Sequence, residues 1–143
     1  MARVMTAPDD LLAAARAARA HAHAPYSGFA VGAAVRGASG RVYAGCNVEN
    51  AAYPEGLCAE AVAIGAGIAA GETTIIEALV VADSSVPTTP CGACRQRLRE
   101  FAADEAPIHA ADATGVVATF ALGALLPHSF GPSHLSSIRK QPT

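Results

Sequence analysis

The chain has 143 residues, a length typical of one domain, and a formal net charge of −2 at neutral pH. Lysine occurs once, at Lys140, so the sequence lacks the basic patch that proteins use to bind the phosphates of nucleic acids. No apolar stretch is long enough for a membrane span, and no signal peptide is recognised before the four cysteines. The sequence therefore predicts a cytoplasmic protein with one domain over residues 1–143 and no nucleic acid or membrane partner. In a reducing compartment, the cysteines are expected to bind metal.

The first half of the sequence predicts a helix, a hairpin and a second helix. After Asp9 or Asp10, either of which can cap a helix, apolar residues recur three or four apart until Pro25 ends the pattern. Two short apolar segments, residues 29–35 and 41–48, are joined by Gly-Ala-Ser-Gly, which indicates a hairpin. Residues 58–71 are apolar with almost no charge, as expected of a helix buried on most sides.

The second half of the sequence adds three strands and one long helix. Residues 75–82 form an apolar segment typical of a strand buried on both faces, with Glu77 as the single interruption. An amphipathic helix is predicted over residues 91–101, followed by two short strands, residues 108–111 and 116–120, around a tight turn. The order α-β-β-α-β-α-β-β, with a short terminal helix, predicts an α/β fold in which a five-stranded mixed sheet lies between helices.

Two short motifs contain the residues suited to metal chemistry. Glu60 follows Cys58 by two residues, and Cys91 and Cys94 form a Cys-x-x-Cys pair directly after a proline. This combination is the signature of zinc deaminases, in which three protein ligands leave the metal one open position for catalysis. The alternative is a structural zinc site closed by a fourth thiolate from Cys46. The glutamate and the proline are required only by the deaminase signature.

With these elements assigned, the chain resembles the small, zinc-dependent, homotetrameric cytidine deaminases over nearly its whole length. The resemblance implies a three-layer α-β-α fold, Zn²⁺ as cofactor and a small-molecule nucleoside as substrate. It also implies hydrolytic deamination of cytidine and 2′-deoxycytidine to the uridines, a reaction of pyrimidine salvage. Five segments carry it, in the family's order: residues 25–34 (PYSGFAVGAA), 47–54 (NVENAAYP), 58–60 (CAE), 90–96 (PCGACRQ) and 125–130 (LLPHSF).

The same resemblance implies a role for individual side chains. Zinc is bound by Cys58, Cys91 and Cys94, and Glu60 transfers protons. From the residues alone, the simpler interpretation of the polar cluster of residues 47–50 is the solvent-exposed end of a strand, followed by turn-forming asparagines. The residues that the resemblance implies in substrate binding are Phe29, which stacks on the base; Asn47 and Glu49, which hydrogen-bond the ribose; Ala59; and Tyr53 and Phe130, which reach a neighbouring subunit's site.

One position departs from the family pattern. In similar deaminases with three cysteine ligands, the residue after the catalytic glutamate is commonly an arginine that donates to the thiolates, whereas here it is Ala61. The charge of the site is then expected to be balanced by helix N-terminal amides, with Arg95 as a further candidate. The simplest interpretation of Arg95, Arg97 and Arg99 is a solvated helix face. Deaminases of nucleoside antibiotics such as blasticidin S share the zinc motifs and are the alternative family.

Overall fold

The structure, a computed structural model, describes residues 8–136, so the opening segment, on which the expectation of no signal peptide depends, lies outside the described residues. The observed order of helices and strands matches the predicted one as far as β5, but two short helices follow that strand instead of one. The first helix ends at Arg19, before Pro25, and has no side-chain cap. The elements are α1 (Asp9–Arg19), β1 (Val31–Gly37), β2 (Val42–Cys46), α2 (Ala59–Ala69), β3 (Ile75–Ala82), α3 (Gly92–Phe101), β4 (Pro107–Asp112), β5 (Gly115–Ala121), α4 (Leu122–Leu125) and α5 (Ser133–Ser136).

The five strands form one mixed sheet in the order β2-β1-β3-β4-β5. β1 and β2 form the predicted antiparallel hairpin, and β4 and β5 form a second one. β3 and β4 are parallel, because the connection through α3 returns the chain to the end of the sheet at which β3 begins. The predicted five-stranded mixed sheet is therefore confirmed.

Helices cover both faces of this sheet because successive side chains of a strand point to opposite sides. On one face, Ala33 and Val35 of β1 pack with Ala59 of α2 and with Leu98 of α3. On the other face, Ala34 and its neighbours pack against α1. This arrangement gives the three layers, and it brings the N-terminal ends of α2 and α3 to the same side of the sheet.

Glu77, the charged interruption in the apolar strand β3, is buried in a polar network. Its carboxylate accepts a hydrogen bond from Nε of Arg36 at 3.1 Å and lies 2.8 Å from Nε2 of His109. Arg36 also donates both terminal nitrogens to Asp10. The side chains of Glu77 and Arg36 are only 12% and 14% exposed, so Glu77 depends on Arg36 for compensation of its charge, whereas Arg36 is compensated by both Glu77 and Asp10.

Gly45 in β2 allows α2 to lie unusually close to the sheet. A Cβ atom at this position would lie 2.6 Å from the backbone nitrogen of Ala63 and 2.7 Å from the carbonyl oxygen of Ala59. Both atoms belong to the first half of α2, whose first turn contains Ala59 and Glu60 of the Cys-x-Glu motif. Glycine therefore fixes the distance between the sheet and this motif. Within residues 8–136, no helix has the length and apolar character needed to cross a membrane.

Candidate active site

The three cysteines of the two motifs meet where α2 and α3 begin. Cys58 and Cys91 are the residues immediately before α2 and α3, and Cys94 lies in the first turn of α3. Their Sγ atoms all lie within 4.8 Å of one another. Cys46 is not part of this cluster of possible metal ligands among the described residues. The geometry therefore presents three thiol ligands, which leaves a tetrahedral metal one open position.

The donor set and its spacing fit zinc. With Zn–S bonds of about 2.3 Å and tetrahedral angles, two ligating sulfurs should lie about 3.8 Å apart. The Sγ atoms of Cys58 and Cys91 are 3.9 Å apart. Three thiolates also match the preference of zinc for soft sulfur ligands. Binding of a zinc ion would therefore require little movement of the Sγ atoms of Cys58 and Cys91.

The surroundings of the thiols differ in how they affect ionisation. Burial raises the pKa of Cys58, and burial together with the nearby Glu60 carboxylate raises the pKa of Cys94. Burial also opposes ionisation of Cys91, but hydrogen bonds from the backbone N–H of Cys94 and from the neighbouring thiols lower its pKa. A divalent cation among the sulfurs would stabilise all three thiolates.

Glu60 lies beside the thiol cluster, in the first turn of α2, and is 5% exposed. Burial raises the pKa of its carboxyl group, whereas a hydrogen bond from the Cys94 thiol and the positive charge of Arg97 lower it. A raised pKa brings a carboxyl group closer to the range in which it can both accept and release a proton during a reaction. Its position next to a metal site with an open coordination position suits proton transfer to and from a reacting ligand.

A cavity of about 430 Å³ opens above the cluster. Its volume falls within the roughly 300–1,000 Å³ of typical small-molecule sites. Thr88 and Thr89, which precede the second motif, also contribute to the lining. The predicted site residues that line it are Phe29, Asn47, Glu49, Tyr53, Cys58, Ala59, Glu60 and Cys91.

Comparison with known proteins identifies the family. The model of the cytidine and deoxycytidylate deaminase zinc-binding region matches residues 5–110. The chain therefore belongs to the cytidine and deoxycytidylate deaminase family. A cytidine deaminase from Sporosarcina psychrophila is 38% identical over 133 residues, which cover 93% of this chain and 98% of that protein.

Two crystal structures of deaminases from other bacteria have the same fold. The cytidine deaminase from Burkholderia pseudomallei aligns with a TM-score of 0.82 at 41% identity, over 88% of this chain and 100% of that chain. The cytidine deaminase from Mycobacterium tuberculosis aligns with a TM-score of 0.76 at 38% identity, over 89% and 99% of the two chains. The family's zinc-binding region and the three-cysteine cluster together confirm zinc as the predicted cofactor.

In this member of the deaminase family, Asn47 and Glu49 hold the segment that carries Phe29. The Asn47 amide donates to the carbonyl oxygen of Phe29 at 2.8 Å and accepts from the backbone N–H of Val31 at 2.9 Å. Glu49 accepts hydrogen bonds from two backbone N–H groups and the hydroxyl group of the turn at Ser27, and these lower its pKa. The polar cluster is therefore more than a solvated strand exit, because it orients an aromatic ring at the cavity.

Tyr53 and Phe130 are both exposed, at 73% and 59%. Tyr53 lines the cavity and packs edge-to-face against Tyr26, with ring centroids 5.6 Å apart. Phe130 is not among the cavity residues of its own chain. Its ring stacks on His134, and its carbonyl oxygen accepts a hydrogen bond from Gln96 at 2.8 Å.

The prediction of a solvated arginine face on α3 is wrong for two of its three arginines. Arg95 donates to the carbonyl oxygens of Pro90 and Leu125, both at 2.7 Å, and to the Thr89 hydroxyl at 2.9 Å. It therefore fastens the loop before the second motif, and its hydrogen bonds go to these oxygens and not to the thiols. Arg99 is bound to Asp104 and to the Ser129 hydroxyl.

Arg97 is the arginine that reaches the metal site. Its NH1 atom lies 3.9 Å from Sγ of Cys94, within hydrogen-bonding distance of sulfur. The sequence analysis did not assign it this role, although the spacing of three residues on one helix places the two side chains on the same face. From that spacing, the contact between Arg97 and Cys94 could have been predicted.

Proposed function

We propose that this chain catalyses the zinc-dependent hydrolytic deamination of cytidine and 2′-deoxycytidine to uridine and 2′-deoxyuridine. The observation that carries the proposal is the buried carboxyl group of Glu60 beside a three-cysteine cluster, at a cavity of about 430 Å³. Membership of the deaminase family and the cytidine deaminases among its relatives support the choice of substrate. They also favour cytidine over blasticidin S.

The chemistry assigned to the site requires one proton carrier. Zinc held by Cys58, Cys91 and Cys94 supplies Lewis acidity, which makes water a nucleophile near neutral pH. Glu60 accepts a proton from the attacking water as the new C–O bond forms at C4 of the cytosine ring, and delivers it to the ring nitrogen. Glu60 then transfers the second water proton to the exocyclic amine as the C–N bond breaks, so that uridine and ammonia leave.

The cavity favours a nucleoside over a nucleotide. As far as residues 8–136 define its lining, the cavity contains no Arg, Lys or His side chain, and Glu49 would repel a phosphate group. We assign base stacking to Phe29, ribose hydrogen bonding to Asn47 and Glu49, and packing against the base to Ala59, which is fully buried at the floor. Each polar group retains an unused lone pair or proton for the sugar.

We propose that residues 1–143 form one domain of a homotetramer with shared active sites, working in the cytoplasm in pyrimidine salvage. The exposure of Tyr53 and Phe130 supports shared sites, and Tyr53 forms continuous exposed aromatic surface with Tyr26, since contiguous exposed apolar surface marks interaction sites. Light scattering of the purified protein should give four times the monomer mass. A monomer that retains full activity at the same dilution would exclude shared sites.

Release of ammonia from a panel of substrates tests the proposed activity. The purified, zinc-loaded protein is incubated with cytidine, 2′-deoxycytidine, cytosine, CMP and blasticidin S. We expect the two nucleosides to react, cytosine to react poorly because it lacks the sugar, and CMP to react poorly because of its phosphate. Preference for blasticidin S would establish the antibiotic deaminase instead, and inactivity on all five compounds would overturn the proposal.

A further inference from the structure

The proposed zinc site has a net negative charge, and the residue after Glu60 is uncharged. Zinc with three thiolates carries a formal charge of −1, and the carboxyl group of Glu60 lies beside Cys94. Ala61, the residue after Glu60, has no charge to offer. Since Glu60 is 5% exposed and Cys94 is buried, water reaches this part of the site poorly. A positive group within reach of both side chains would therefore stabilise the loaded site.

Among the arginines of α3, Arg97 alone donates to a sulfur of the cluster. Arg95 donates to oxygen atoms of residues 89, 90 and 125, and Arg99 binds Asp104 and Ser129. Arg97 lies one helical turn after Cys94, and its NH1 atom is 3.9 Å from Sγ of that residue.

Glu60 lies close enough to Arg97 for the guanidinium charge to act on its carboxyl group. One guanidinium group thus lies near both the Cys94 thiol and the Glu60 carboxyl group. An arginine side chain is always charged in proteins.

We propose that Arg97 of α3 is a positioning residue that balances the charge of the zinc site. It would take the place of an arginine at position 61, which here is alanine. The proposal rests on the zinc site of the proposed function. A donor to a ligating sulfur withdraws electron density from the thiolate and fixes the direction of its lone pairs. The same charge favours the loaded site, because zinc must displace protons from thiols to form thiolates.

The expected effect is on zinc affinity. Loss of a hydrogen bond to a metal ligand typically lowers metal affinity by roughly 10- to 100-fold. Arg97 is exposed to water, which screens its charge, so we expect about a 10-fold loss, at the lower end of that range.

The test measures the zinc dissociation constant by competition with a chromophoric chelator at fixed pH. Arg97→Lys retains the charge, Arg97→Gln retains a donor without the charge, and Arg97→Leu removes both. The expected order of affinity is wild type, Lys, Gln and then Leu. Arg41→Gln, which removes an exposed arginine next to the hairpin turn before β2, is the control and should bind zinc as the wild type does.

Rescue separates charge balance from a structural role. Arg97→Gln combined with Ala61→Arg restores a guanidinium group from the other motif and should recover most of the lost zinc affinity. Urea unfolding with excess zinc checks that the variants remain folded. Wild-type affinity in both Arg97→Gln and Arg97→Leu would overturn the proposal, as would a loss of affinity that Arg41→Gln reproduces. Zinc binding without cytidine deamination by the wild type would refute the proposed function while this test remains valid.

Discussion

Replacing Gly45 with alanine should damage the zinc site without touching any of its residues. The added Cβ would lie 2.6 Å from the Ala63 nitrogen, 2.7 Å from the Ala59 carbonyl oxygen and 2.8 Å from Cβ of Val62. Two of these three atoms belong to the backbone, so no side-chain rotation can relieve the contacts. The helix α2 must instead move away from β2.

The size of this movement follows from the contact distances. Real Cβ atoms essentially never approach other heavy atoms closer than 3.0 Å, so the shortest contact must widen from 2.6 Å to at least that value. Overpacking of this kind costs about 1–3 kcal/mol of the free energy of unfolding. Ala59 lies between Cys58 and Glu60, so a shift of the first turn moves both. Zinc sites accept deviations of only about 0.2 Å in ligand distances, and misplacement of catalytic groups on the order of 1 Å can lower activity by about 100-fold.

We therefore expect Gly45→Ala to bind less than one zinc per chain and to deaminate cytidine with a kcat/KM lower by about 10- to 100-fold. Zinc content is measured by atomic absorption and stability by urea unfolding. The control is Ala44→Gly, which lowers stability by about 1 kcal/mol on the opposite face of β2, packed towards α1, and should retain zinc and activity. Full zinc content and wild-type activity in Gly45→Ala would refute the reasoning that the close approach of β2 positions the motif.

Three further substitutions test other parts of the structure. Glu60→Gln should bind zinc normally but lower cytidine turnover by about 10²–10⁴-fold or more, because an amide cannot carry protons; near-normal turnover would remove Glu60 from the mechanism. Cys46→Ser should retain one zinc per chain and full activity, whereas release of zinc would favour the closed four-thiolate site. Glu77→Ala should lower the free energy of unfolding by about 1–3 kcal/mol, since it leaves His109 and Nε of Arg36 without their carboxylate partner, although Arg36 keeps its ion pair with Asp10; a loss below about 0.5 kcal/mol in urea titrations would show that the network contributes little.

Much of the fold was accessible from local sequence. The predicted strand of residues 75–82 coincides with β3 (Ile75–Ala82), because a continuous apolar segment between turn residues has few other stable conformations. The start of α3 was also predicted closely, since the Cys-x-x-Cys motif occupies the first turn of a helix with a clear amphipathic pattern. The first helix was predicted too long, because only Pro25 was taken as its end while the chain leaves the helix at Arg19.

The sequence by itself predicted the set of three cysteine ligands, because the chemistry of zinc requires particular residue types and the Cys-x-Glu and Cys-x-x-Cys motifs are each local. The fold then brings Cys58 and Cys91 together across 33 residues. The tertiary structure alone decided which charged side chains meet. Glu77 is the only charge in its strand, and its partners come from neighbouring strands 41 and 32 residues away. The three arginines of α3, spaced two residues apart, likewise have different sets of partners, of which only the Cys94 thiol belongs to α3 itself. Long side chains can reach in many directions, so their contacts depend on the packing of distant segments, which no local pattern encodes.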